Sequence, residues 1–170
     1  KDKGTVHGGS WDMSSYKFED LDVFKALKQR IEQGATWSST TFYSRLRDEI
    51  RRTGTTSWGI TSEAELDSRC LYLDQLIDSI KKRGFQLNHK VTLETEKKGV
   101  DGHPTFGSEV TVNIGRDGHY LFQDGRHRLA IAKILGIKSI PVKVLVRHKE
   151  WVEFRQFMRA LAQGNAASSE

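Results

Sequence analysis

Cysteine is almost missing from this 170-residue chain: the single Cys70 excludes an internal disulfide and points to a reducing compartment. With one thiol and no pair of histidines at ligand spacing on a helix, a structural zinc site is not expected. Long apolar runs are missing too. None approaches the roughly 20 residues of a membrane span, so the protein is expected to be cytoplasmic and off the membrane. The opening "KDKGTVHGGSWD" is polar and glycine-rich, unlike a secretory leader. A start on Lys1 instead of Met is what a segment of a longer protein would show.

What is present fits a globular domain, with 36% hydrophobic and 29% charged residues. The net charge of +5 is unevenly placed. Residues 1–109 balance 17 Lys/Arg with 17 Asp/Glu, whereas residues 110–170 hold 10 against 5. The excess therefore lies in the last third, where it suits a nucleotide, a nucleic acid or solubility alone.

Apolar spacing predicts a mainly helical first half. Phe18, Leu21, Phe24, Leu27 and Ile31 trace one amphipathic helix ended by Gly34. Phe42, Leu46 and Ile50 trace a second, stopped near Gly54. "SEAE" at 62–65 is a capping box opening a third helix through Leu66, Cys70, Leu73, Ile77 and Ile80, with Gly84 beyond its end. The pattern then changes. A short strand is expected at 89–93 and a loop at 96–108. Strands at 110–114 and 119–123 flank the "GRDG" turn. A helix follows from Arg126, then a buried strand over 140–146 and a last helix carrying Trp151, Phe154, Met158 and Leu161 before the tail "GNAASSE". The fold class is α+β, a small mixed sheet covered by helices. One domain is expected: a helical extension over 1–70, a core over 71–147 and a C-terminal helix and tail over 148–170.

The chemistry concentrates in "HYLFQDGRHRLAIAKILGIKSIPVKVLVRH", residues 119–148. A strand runs through Asp124 and Gly125 straight into a helix whose first amides carry the positive end of its dipole. Gly125 lets an anion approach the backbone. Arg126 and Arg128 add forked cations suited to phosphate. His127 can donate a hydrogen bond or shuttle a proton, and Asp124 can cap the helix or hold Mg²⁺. The same residues also suit an ordinary capped helix with solvated first-turn side chains.

The run "LDQLIDSIKKRGF" (73–85) followed by "YLFQDGRHRLAIAKILGIKSIPVKVLV" (120–146) resembles the ParB/sulfiredoxin superfamily over about residues 71–147. Shared features are a helix ending in Ser-Ile…Gly, Gly-x-x-Arg opening a helix, then Leu-Gly and an Ile-Pro-Val strand. The resemblance implies a nucleotide ligand, CTP as in ParB proteins or ATP as in sulfiredoxins and a free-serine kinase, with Mg²⁺. It implies that Gly125, Arg126, His127 and Arg128 bind phosphates. Arg126 stands where sulfiredoxins carry their reactive cysteine, which excludes sulfinic-acid repair. Only about 20 residues follow the last strand, too few for the helix-turn-helix domain of partition proteins.

A nucleotide-dependent phosphotransferase or hydrolase is the leading expectation, with Asp124, His127 and Asp12 as catalytic candidates and Asp124 as the metal ligand. Asp12 enters through "GGSWD" (8–12), which suits a loop over a base or ribose and equally an ordinary turn with a packed Trp. Trp37 and Trp58 read as packing residues, and His103 as a solvated loop histidine. The alternative is a DNA-binding module that uses the basic last third and the arginines of 45–52, whose default reading is a salt-bridged helix face. A ParB-like nuclease ranks lower because no carboxylate cluster suits a two-metal site.

Overall fold

The computed structural model describes residues 4–13, 17–87 and 109–167. Within them the chain is α+β, with five α-helices and a four-stranded mixed sheet. The expected strand at 89–93, the loop at 96–108 and His103 lie outside the described residues. The elements fall into two compact units, a helical one from 16–109 and 125–141 and a sheet unit from 1–15, 110–124 and 142–170.

In the helical unit, α1 (Asp22–Gln33), α2 (Thr41–Thr53), α3 (Glu63–Arg83) and α4 (Arg126–Ile134) surround one core. Their apolar stripes meet in Leu27, Phe42, Leu46, Leu66, Leu73 and Ile131, all nearly inaccessible to water. Burial of such side chains is the main term holding the unit together, roughly 1.5–3 kcal/mol for each Leu, Ile or Phe. Phe18 belongs to a separate 3-10 turn, Phe18–Asp20, so α1 begins later than its spacing implied. The capping box opens α3, but its two arms differ. The Glu65 N–H donates to Ser62 Oγ at 3.2 Å, while the Glu65 carboxylate accepts from the Thr61 N–H at 2.8 Å. The reciprocal bond therefore reaches one residue further back than the usual box.

The sheet unit orders its strands β1-β4-β2-β3, where β1 is Thr5–His7, β2 Thr111–Ile114, β3 Tyr120–Asp124 and β4 Lys143–His148. β4 runs parallel to both β1 and β2, and β2 pairs antiparallel with β3 through the turn after Ile114. The strand expected at 140–146 starts only at Lys143. Pro141 has no N–H for the ladder, and the first bond is made by the Lys143 N–H to Val110 O at 2.9 Å. The strand buried along its whole length is β2; β4 is half-buried. β1 was not anticipated. It is three residues long, and its pairing partners lie some 140 positions away, Thr5 beside Val146 and His7 beside His148. The final helix, α5 (Lys149–Ala167), continues through Gly164 into the segment expected to be a loose tail. Among the described residues no helix is long and apolar enough to cross a membrane.

Candidate functional site

Asp124 ends β3 in the sheet unit, opposite Thr111. Gly125 opens α4 in the helical unit, with φ 82° and ψ 31°, a left-handed conformation that a glycine adopts without strain. Gly125 is also the N-cap, and Leu129 N–H closes the first helical bond onto its carbonyl at 3.0 Å. The capping position is thus filled by a residue with no side chain, and Asp124 stands one residue before it.

The two arginines of the turn have different fates. Arg128 is 4% exposed. Its Nη1 donates to Glu109 Oε2 at 2.9 Å, its Nη2 donates to the Gln86 carbonyl, and its guanidinium lies 4.4 Å from the centre of the Phe85 ring. Burial lowers its pKa, and the Glu109 carboxylate acts against that shift. Arg128 is therefore built into the helical unit as a buried ion pair. Arg126 is half-exposed, lies 5.6 Å above the Trp58 ring, and has no carboxylate partner among the described residues.

Trp58 reaches this turn from the α2–α3 loop. That loop is fixed by buried Thr56, whose Oγ1 accepts from the Trp58 N–H at 3.2 Å and the Ile60 N–H at 3.1 Å. Phe42 backs the indole at 5.4 Å, and the His127 ring meets it edge-on at 5.6 Å. Trp58 thus packs, as its sequence reading has it, but it packs against Arg126 and His127. Trp37 is buried and donates from Nε1 to Asp74 at 3.1 Å, sharing that carboxylate with Arg30.

Asp12 has a structural attachment of its own. Its side chain is 4% exposed and is gripped by Arg116: Nη2 to Oδ1 at 2.7 Å, Nε to Oδ2 at 3.0 Å and the backbone N–H to Oδ2 at 2.8 Å. The Arg116 hydrogen bonds hold the Asp12 carboxyl far below the usual carboxylate range. So firmly held an anion is a poor proton acceptor, and its oxygens are already directed at a cation. Beside it His148 is fully buried, with Nε2 2.9 Å from the Gly9 carbonyl and its ring 5.6 Å from that of Trp11. Because Nδ1 accepts from the Glu150 N–H at 3.3 Å, the ring proton sits on Nε2. Sequence reasoning missed Arg116 and His148. Their partners lie more than 100 positions away, and the local signal at Arg116 is only that of a turn.

Comparison with protein-family models, with curated proteins and with solved structures gives no match for this chain.

Two of the four arginines of α2 are ion-paired, Arg45 with Asp22 at 2.6 Å and Glu49 at 3.2 Å, and Arg51 with Glu63 at 2.9 Å. For these two the salt-bridged arrangement that the spacing implied is present. A cavity of about 210 Å³ lined by Arg30, Ile31, Asp74, Ile77, Asp78 and Lys81 lies between α1 and α3. It is smaller than the roughly 300 Å³ at which small-molecule pockets begin. Among the described residues no group of three or more His, Cys, Asp or Glu is placed to hold a metal ion.

Proposed function

We propose that the chain is a nucleotide-binding domain of ParB/sulfiredoxin type that holds polyphosphate at the opening of α4, through Gly125, Arg126 and His127. The observation that carries the reading is the contrast between the two arginines. Arg128 is committed to Glu109, while Arg126 keeps its cation half-exposed on the Trp58 ring, one residue after the left-handed glycine. A guanidinium resting on an indole is oriented without being neutralised, so its charge remains available to phosphate oxygens. The ligand class follows from the resemblance of residues 71–147, which implies ATP or CTP.

Mg²⁺ fits less well. Asp12 is engaged with Arg116, and no metal cluster stands among the described residues, so a metal would arrive with the nucleotide and not on a preformed protein cage. In phosphoryl transfer or hydrolysis the contribution of this turn would be charge stabilisation by Arg126 and orientation of a phosphate oxygen by His127. The DNA-binding alternative loses support in the helical unit, because Arg45 and Arg51 are already paired with carboxylates.

Titration calorimetry of ATP, CTP, GTP and tripolyphosphate, each with Mg²⁺, tests the proposal in parallel on Arg126→Ala. Saturable binding that weakens about tenfold or more in the variant is expected, the size of one charge-assisted contact. No heat from any of the four, with salt-sensitive binding to duplex DNA instead, would overturn it.

A further inference from the structure

We infer that α5 joins two copies of this chain in a parallel, two-stranded helical seam. From Glu153 to Gly164 every residue of α5 is exposed, including Phe154, Phe157, Met158 and Leu161, each at 46% or more. An isolated helix of this length is marginal in water, and four large apolar side chains on one surface mark an interface. The spacing identifies the kind of partner. Trp151, Phe154, Met158 and Leu161 fall three, four and three residues apart, the alternation of core positions in a coiled coil, although the half-buried Trp151 ring already packs on Gly118 of its own chain and gives the seam only its uncovered edge.

The flanking charges match that register. With these four at the core, Glu150 lies on one edge of the seam and Arg155, five residues on, lies on the other. In a parallel pair the first edge of one helix faces the second edge of its neighbour with this five-residue offset. Glu150 of each copy therefore meets Arg155 of the other, twice by symmetry. Glu150 is exposed and makes only a long ion pair with Arg116 Nη1 of its own chain, at 3.8 Å, which the contact across the seam would have to outcompete. Arg155 is exposed and lies 6.0 Å from the Trp151 ring, at the start of the seam. An antiparallel pair would set each edge against its own kind and lose this complementarity. Phe157 widens the seam on the Glu150 edge. The stretch is short, about three turns of core on each side, so the dimer should be concentration-dependent.

Sedimentation equilibrium of the full chain over a wide concentration range is the test, with circular dichroism as the control for folding. The wild type should pass from monomer to dimer, and Phe154→Glu with Leu161→Glu should remain monomeric with unchanged helix content. Glu150→Arg and Arg155→Glu should each weaken the dimer on the order of tenfold, and the two together should restore it. A monomer at every concentration would overturn the inference, whether the face is then covered by the chain itself or left open. So would a dimer indifferent to the Phe154/Leu161 variant. A dimer that loses affinity in both charge variants and is not restored in the double variant would overturn the parallel register.

Discussion

Arg126 and Arg128 are two residues apart and have the same chemistry, yet their substitution should give opposite results. Arg128→Ala leaves the Glu109 carboxylate buried without its cation, a loss of roughly 3–5 kcal/mol. Arg126→Ala removes a half-exposed stacking contact and should stay within about 1 kcal/mol of wild type. Urea denaturation of the two variants checks both values. A loss of nucleotide binding can be read as loss of a ligand contact only in Arg126→Ala. Cys70 offers a second check at this scale. Burial pushes its thiol up to about 12, so native protein at pH 8 should resist a thiol reagent until it is denatured.

At the scale of elements, the sheet unit depends on a close approach. Gly118, in the turn joining β2 to β3, has φ 85°, and a Cβ there would lie 2.7 Å from the Trp151 ring. Gly118→Ala combines backbone strain with a clash and should cost roughly 2–4 kcal/mol, read from the urea midpoint. Ser62→Ala removes only the cap of α3 and should cost about 1 kcal/mol by the same measurement. The legibility of the sequence follows a related division. Helices α1 to α4 were readable because their apolar stripes and the glycines at or beyond their ends are local signals, as is the Ser62 cap of α3. The hairpin was readable from its turn. β1 and the Asp12–Arg116–His148 cluster were not, because a polar tripeptide becomes a strand, and an aspartate a strut, only through residues on the far side of the chain. The candidate turn lay between these cases. Its residues were legible, but the burial of Arg128 was not, since Glu109, Gln86 and Phe85 lie about 20 to 40 positions away.

At the scale of the molecule, alkaline stability should be set by the helical unit. Tyr43 donates to Asp67 at 2.7 Å, and this bond, with burial, raises its pKa from 10.0 to about 12. Cys70 rises from 9.0 to about 12, mainly through burial. Both folded values exceed the unfolded ones, so between pH 9 and 12 the unfolded chain holds fewer protons than the native one. Stability therefore falls as pH rises through that window and is complete below it. Thermal midpoints should decline steadily from about pH 9, and Tyr43→Phe should flatten the decline above pH 10. A midpoint constant up to pH 11 would contradict the burial described for these two side chains.

The two units divide the chain at 15/16, 109/110, 124/125 and 141/142, whereas reading along the sequence divides it at 70/71 and 147/148. The polypeptide thus crosses from one unit to the other four times. No single stretch of gene encodes either unit, and no stop codon or end deletion can discard one and spare the other. The sheet unit is assembled from residues 1–15, 110–124 and 142–170; the helical unit is the two stretches between them. Such a plan can be inherited only whole. A ribosome must also release everything from Thr5 to His148 before the parallel pairing of β1 with β4 can form, so β1 waits for β4.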